Sequence, residues 1–473
     1  MGQEIAHSEF GRQDYEHFSE RLREETELLH EWLAGGRLDH ETFCAGYEME
    51  GWLLDDAYKP APQNEAFLKN MDDPLVVAEL ARFNFELNGK ARQFDADIFS
   101  KIHNELLNTL QRCEKHANEL GLKTIAIGTL PTAVIDDFVL SNMSSLQRYK
   151  ALNEQVLKMR RGEPIHLQIT GHESLNFKHP DVMLEAATTS FQIHLQMPLS
   201  RAGRFYNASK IISAPLVALS ANSPYLFGRD LWDETRIPVF EQSVPVGYSD
   251  LTKRVSFGIR YAHESLMEIF DANLARYPIL LPHVMDSVPE QMSHLRLHNG
   301  TIWRWNRPLI GFDKNNAPHF RLEQRCVPAG PSVKDAVANM AFYYGLVTQM
   351  AMTETAPETQ LKFEIARNNF YQCARLGLDA NLTWLRGRAV NVRQLILDEL
   401  LPLAEEGLRQ LGVEQQEIQN WLGIIAERVT NKQNGAYWQR KWVAGHGHDP
   451  RRLLKAYRER QLENDPVHGW DFN

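Results

Sequence analysis

Four short stretches of the chain alternate large apolar with polar side chains, the period-2 pattern of strands that bury one face. In GYEMEGWLL, Tyr47, Met49 and Leu53 share one face and Glu48 and Glu50 the other. In FNFELNG, Phe83, Phe85 and Leu87 oppose Asn84, Glu86 and Asn88. In SFQIHLQM, Phe191, Ile193, Leu195 and Met197 oppose Gln192, His194 and Gln196. In FRLEQRCV, Phe320, Leu322 and Cys326 oppose Arg321, Glu323 and Arg325. A 3.6-residue repeat marks the rest: an amphipathic helix over about Tyr15 to Trp32, and another over about Asp97 to Leu120 with Ile98, Ile102, Leu106, Leu110 and Cys113 as its stripe. From Val333 onward the pattern is nearly all helical, ending in a short basic helix and a polar tail. Strands and helices segregated in this way predict an α+β fold with an antiparallel sheet, not the alternation of a doubly wound fold. The expected division is an α+β region with its N-terminal helix over 1–334 and a helical region over 335–473 packed on it, the two forming one continuous catalytic unit.

Composition narrows the function classes. A chain of 473 residues, 43% hydrophobic, can bury a large core. Acids outnumber bases 61 to 51, giving a formal charge of −10, which argues against broad affinity for nucleic acid or anionic membranes. Cys44, Cys113, Cys326 and Cys373 lack the paired spacing of a zinc or redox site and read as free thiols of a reducing compartment. The start, MGQEIAHSEF, has no basic flank followed by an apolar core, and Ala6 stands where myristoylation at Gly2 wants Ser or Thr. No apolar run approaches the roughly 18 residues of a spanning helix, so a cytoplasmic location is expected.

The polar faces of the four strands carry the chemistry. One reading is an ordinary antiparallel sheet with its outer face in water. Such a face should carry Lys and Thr, yet none of the four strands contains a Lys. Carboxylates converging on one surface repel unless a cation holds them. Oxygen-rich ligands with one imidazole suit Mg²⁺ or Mn²⁺, whereas Zn²⁺ favours more His and Cys. Acid-held metal beside arginines is the equipment of phosphoryl transfer from ATP. No GxxxxGK[ST] and no H-R-D…D-F-G set occurs, so the nucleotide would lie on the sheet through its metal-bound phosphates.

The order of elements completes the reading. Gly46-Tyr47-Glu48-Met49-Glu50, then Glu79 seven residues before Glu86, then Gln192 and His194, then Glu323-Gln324-Arg325, resembles the glutamate-cysteine ligase superfamily, especially its type 2 carboxylate-amine ligase branch. The similarity runs through MLEAATTSFQIHLQM, APLVALSANSPYLFGRDLWDETRIPVFEQS, HNGTIWRWNRPLIG and NNFYQCARLGLDANLTWLRG, covering roughly residues 43 to 440. The resemblance implies a curved antiparallel sheet related to that of glutamine synthetase, with metal ions and ATP on its concave face. It implies an ATP-dependent ligase that phosphorylates a carboxylate, preferably the γ-carboxylate of glutamate, and lets an amine such as that of cysteine capture the acyl phosphate. The same chemistry on another acid or amine, and a non-catalytic scaffold, are the alternatives.

By motif, the resemblance makes Glu48, Glu50, Glu79, Glu86, His194 and Glu323 the metal-shell residues, and gives Glu86 and Arg325 to catalysis. It gives Gln192, Arg229, Arg236, Arg304, Arg321 and Arg325 to ATP or substrate. Each keeps a plainer alternative. Glu79, in VVAELARF, reads equally as a surface acid at a helix end, and His194 as a satisfied sheet histidine. Arg321 could neutralise Glu323, and Arg229 and Arg236 could pair with Asp230, Asp233 or Glu234. In TIWRWNRP the resemblance turns Arg304 and Asn306 toward the site and Trp303 and Trp305 away. Asn222-Ser223-Pro224 reads as a turn closing a helix, and Gly445 to His448 as a loop. The expected partners are amino-acid substrates and ATP, with no nucleic acid and no membrane; a homo-oligomer is compatible with the sequence.

Overall fold

Strand β1 (Cys44–Leu54) is the spine of the molecule. In the computed structural model, which describes residues 4–5, 7–38, 41–246 and 252–473, it runs through an eight-stranded antiparallel sheet. Gly2 and Ala6 lie outside the described residues. The other strands of this sheet are β2 (Val76–Ala78), β3 (Asn84–Asn88), β4 (Arg92–Gln93), β5 (Lys123–Ile125), β8 (Phe191–Gln196), β11 (Asn306–Phe312) and β12 (Pro318–Gln324). The spatial order is β11-β12-β8-β1-β3-β2, with β4 and β5 also pairing to β1. Three small hairpins stand apart: β6 (Ile165–Thr170) with β7 (Ser174–His179), β9 (Tyr225–Leu226) with β10 (Arg229–Asp230), and β13 (Asn381–Thr383) with β14 (Ala389–Asn391). The α+β architecture with an antiparallel sheet is as the periodicity predicts, and all four alternating stretches are strands of this one sheet.

The apolar faces of β1, β3, β8 and β12 are buried, with Met49, Phe85, Ile193 and Leu322 almost without solvent contact. The helices Ala202–Ser220 and Val333–Met352 also belong to this core, with nearly every residue of both buried. The two helices pack on one another. The Tyr344 hydroxyl of the second lies 2.7 Å from the carbonyl of His194 and 3.1 Å from that of Gly46, and accepts from the Gly46 N–H at 3.2 Å. It thereby grips β1 and β8 at their Gly46–His194 pair. A buried Arg428–Asp335 pair at 2.7 Å ties the Gln415–Thr430 helix to the same element.

The N-terminal helix, Arg12–Ala34, and the Ile98–Glu119 helix fall where the repeats place them, as do the helices beyond Val333. Three local expectations are corrected. Glu79 follows strand β2 and ends no helix, because Val76 and Val77 pair with β3. His446 closes the helix Gly435–His446, capped at its start by Asn434, so the Gly445–His448 segment is only half loop. β11 begins at Asn306, and Trp303 precedes any regular strand. The Asn222–Pro224 turn does follow a helix that ends at Ser220, and the Asn222 amide donates to the Ala329 carbonyl and to the Tyr457 hydroxyl, both at 2.8 Å.

Tyr344→Phe removes the hydroxyl that bridges β1 and β8. The expected outcome is a loss of about 1–2 kcal/mol in stability, read as a lower denaturant midpoint at unchanged slope. An unchanged midpoint would show that the hydroxyl carries no net energy.

Candidate active site

Register, more than sequence proximity, builds the polar face. Residues directly opposed in an antiparallel ladder share a face. Glu50 faces Glu86 across β1 and β3, and Glu48 lies between Asn88 on β3 and Gln192 on β8. His194 opposes Gly46 on one side and Glu323 of β12 on the other, and Glu323 opposes Arg307 of β11. This face is not in water: Glu48 is 4% exposed, Glu86 3%, Glu323 1% and His194 7%. The reading as a plain solvent-facing sheet therefore fails on burial.

At the centre, His194 Nε2 lies 3.5 Å from Glu48 Oε1 and 3.7 Å from Glu323 Oε1. One ligand atom from each of the three lies within 4.8 Å of the others, the one such group of three among the described residues. His194 Nε2 is buried with no hydrogen-bond partner, a costly condition for an imidazole nitrogen. Burial holds the His194 pKa down to about 4, leaving the ring neutral at pH 7. A neutral imidazole nitrogen between two carboxylates fits a hard divalent cation such as Mg²⁺ or Mn²⁺, whose ligands sit at about 2.1 Å.

Guanidiniums and amides order the rest. Arg307 grips Glu323 with two parallel bonds, Nε to Oε2 at 2.7 Å and Nη2 to Oε1 at 2.8 Å. Arg325 Nη1 adds a third to Glu323 Oε2 at 3.0 Å and also bonds Gln192 Oε1. Burial alone would raise the Glu323 pKa, but Arg307 and Arg325 outweigh it and hold this carboxyl well below its usual range. Gln192 Nε2 donates to Glu50 Oε1 at 2.9 Å, and Ser190 binds the same carboxylate through its N–H at 2.6 Å and its hydroxyl at 2.9 Å. Asn88 Nδ2 donates to Glu86 Oε1 at 3.0 Å. Even so, burial and the nearby Glu79 push Glu50 up to about 7. Burial and the charge of Glu48 push Glu86 well above the usual range.

Of the five acids and one imidazole expected to form a metal shell, Glu48, His194 and Glu323 converge to ligand distance. Glu50 and Glu86 sit beside them as a cross-strand pair, and half-buried Glu79 flanks Glu50 with its carboxylate 3.4 Å from the Tyr149 hydroxyl. Gln192 and Arg325 lie in the site, and Arg321 shares their face opposite Gln196, with a buried Nε that has no hydrogen-bond partner. The structure does not bring the remaining arginines to the cluster. Arg229 is exposed and pairs with Glu173 at 2.9 Å. Arg236 is buried, and its donors go to Glu234 and to the carbonyls of Arg325 and Cys326. Arg304 lies over the Tyr277 ring, and Asn306 opposes Gln324 on the apolar side, bonded to Ser213 at 2.9 Å. The parity expected for TIWRWNRP is thus reversed: Arg307 is the β11 residue on the polar face.

Sequence reasoning gave no role to Arg307 or Ser190, and placed Asn88 on the polar face without assigning it to the site. Arg307 was within reach, because a strand of Asn306 to Phe312 antiparallel to FRLEQ places an Arg opposite Glu323. Ser190 was in reach as well, two residues before Gln192 in SFQIHLQM and so on the same face.

Comparison with known proteins follows from this geometry. The model of Glutamate-cysteine ligase family 2 (GCS2) matches residues 44–447. A putative glutamate–cysteine ligase 2-2 of Frankia casuarinae is 24% identical over 419 residues, covering 86% of this chain and 40% of the relative. A putative glutamate–cysteine ligase 2 of Trichormus variabilis is 31% identical over 103 residues, 20% of this chain and 27% of that protein. The matches thus span well under half the length of these curated relatives. Among solved structures, the glutamate–cysteine ligase of Francisella tularensis in complex with AMP superposes with a TM-score of 0.60 at 11% identity, covering 92% of this chain and 91% of that one. A bifunctional glutathione synthetase from Pasteurella multocida gives 0.56 at 12% identity, covering 93% and 55%. These likenesses establish the curved-sheet fold expected from the resemblance. With a family match across most of its length, the chain belongs to glutamate-cysteine ligase family 2.

Proposed function

We propose that this chain is an ATP-dependent carboxylate-amine ligase that makes an amide through an acyl phosphate, with glutamate and cysteine as the first substrates to test. The observation that carries this reading is the buried trio of Glu48, His194 and Glu323, whose imidazole nitrogen has no partner, set beside two arginines on the same face. The names of the relatives supply the candidate substrates. The AMP of the Francisella structure is in keeping with a nucleotide.

Glu48, His194 and Glu323 would hold Mg²⁺ or Mn²⁺, which when bound supplies charge to bridge ATP phosphates. The chain's own residues do the rest. Arg325 and Arg321 each keep a buried Nε–H without a partner, free to meet phosphate oxygens. Gln192 and Glu323 hold Arg325 in place from two sides. An oxygen of the substrate carboxylate attacks the γ-phosphorus, and the P–O bond to ADP breaks with its electron pair leaving on ADP. The guanidiniums offset the charge on the transferred phosphoryl group. The amine nitrogen then attacks the acyl carbon, the C–O bond to phosphate breaks, and the amine gives up its proton as phosphate leaves. Burial of the face keeps water from intercepting the acyl phosphate.

Three measurements test this reading. Magnesium-dependent ADP release is expected on adding glutamate with a suitable amine from a panel; no turnover with any acid and amine would leave the scaffold alternative. Glu86→Gln is expected to keep the fold and lower that turnover at least about 100-fold, while unchanged turnover would remove Glu86 from the chemistry. The third is a stability profile. His194, depressed to about 4 from its ordinary 6.5, makes stability rise with pH only up to about 6.5. Glu50 at about 7 and Glu86 higher still keep protons that the unfolded carboxyls lose near 4.5, so their contribution to the metal-free protein falls from about pH 4.5 upward, and above pH 6.5, where the His194 contribution is complete, that fall is no longer offset. A divalent cation favours the ionised forms, so Mn²⁺ should raise Tm by several degrees more at pH 8 than at pH 6.5, and Glu50→Gln should flatten the decline.

A further inference from the structure

The polar face is buried, yet any ligand for it must come from solvent: Glu48, Glu86, Glu323 and His194 are at most 7% exposed. Helices stand at both borders of the sheet. Along β11, one border, lies the Ser293–Gly300 helix, whose Gly300 carbonyl accepts from Arg307 at 3.0 Å and whose Asn299 Nδ2 donates to the Pro308 carbonyl at 2.8 Å. The Arg12–Ala34 helix is fastened to it by fully buried Glu25, which bonds His294 Nδ1 at 2.6 Å and accepts from the Leu295 N–H at 2.8 Å. At the other border the Gln147–Met159 helix sets its Tyr149 hydroxyl 3.4 Å from the Glu79 carboxylate, and its Asn153 Oδ1 accepts from the Val182 N–H at 3.3 Å. The two long helices meet at Tyr15, whose hydroxyl donates to Gln155 Oε1 at 2.7 Å and whose ring centre lies 5.9 Å from Lys158 Nζ. Two helices side by side, each about 10–12 Å across, cover about 20–24 Å. The six strands from β11 to β2 extend about 24 Å, so one pair of helices is enough to close the sheet. The apolar face is already filled by the Ala202–Ser220 and Val333–Met352 helices.

We infer that the Arg12–Ala34 and Gln147–Met159 helices roof the polar face and that their seam at Tyr15 and Gln155 is its gate, parting to admit ligands from solvent. The inference rests on the ligase reading only for what passes through, a nucleotide with its divalent cation. The seam is the weak line of the roof because of what holds each side. The first helix is seated by Phe18, Leu22, Leu29 and Trp32, all buried, and the second by Ala151, Asn153 and Val156. Between them the contacts are polar: the Tyr15 hydroxyl on Gln155 and, beside the seam, the Gln147 N–H donating to Glu4 Oε1 at 2.7 Å. One net hydrogen bond shifts an equilibrium by about fivefold, far less than the burial of several large side chains. A contact of this kind opens locally while the elements on either side stay folded.

The test reads His194 itself and needs no turnover. Diethyl pyrocarbonate acylates a neutral imidazole nitrogen that it can reach, and peptide mass spectrometry assigns each modified histidine. Tyr15→Phe and Gln155→Leu should each raise the rate of His194 modification about fivefold over wild type. His30, whose side chain is 49% exposed, should keep its wild-type rate, and His294, fully buried where the first helix is fastened, should stay unmodified. His294 separates a gate from general loosening, since a merely destabilised protein exposes both histidines. Unchanged His194 rates in both variants overturn the inference, as does modification of His294 in step with His194. Gate behaviour in a protein that releases no ADP with any acid and amine would sink the ligase reading alone, and turnover with an unresponsive His194 would sink the gate alone.

Discussion

Crowding carboxylates onto a buried sheet face is the constraint from which the other features of this protein follow. Isolated charge in a low-dielectric interior is unstable, and the chain answers in three ways. Glu323 is neutralised by the guanidiniums of Arg307 and Arg325. Glu50 and Glu86 hold their protons more tightly than free carboxyls. Ser190, Gln192 and Asn88 turn donors toward the acids that remain. All three remedies are reversible, because a carboxyl can release its proton and a hydrogen bond can re-aim.

Such a face needs a rigid support. The opposite side of the sheet supplies it with large apolar side chains against the Ala202–Ser220 and Val333–Met352 helices, and Gly345 and Gly407 let the second of these and the Leu401–Gln410 helix touch backbone to backbone. A Cβ on Gly345 would meet the Ala404 carbonyl oxygen at 2.1 Å, so that crossing admits no side chain. Tyr344, the next residue, carries the rigidity of this crossing to the Gly46–His194 pair through its hydroxyl.

The strands and most helices were legible because burial on one side imposes period 2 or 3.6 on the sequence, as in FNFELNG and Ile98–Glu119. The grouping of Glu48, His194 and Glu323 was legible for the same reason: each lies opposite a core residue, so each had to share the other face. Register was not written in any single strand, which is why Arg307 was passed over for Arg304. Arg236 had the composition of a substrate ligand, yet its guanidinium is spent on backbone carbonyls that only the folded chain brings near.

The order of strands in space has a consequence for synthesis. A nascent chain that has emerged through β8 already carries Glu48, Glu86 and His194 but lacks Glu323 and both of the guanidiniums that pair with it. Until β12 arrives, β8 is a sheet border with open N–H and C=O groups beside uncompensated acids. The pairing of β12 with β8 thus brings the third member of the buried trio and its counter-charge into place together, a late, long-range event in the order of the chain, not a template for what precedes it.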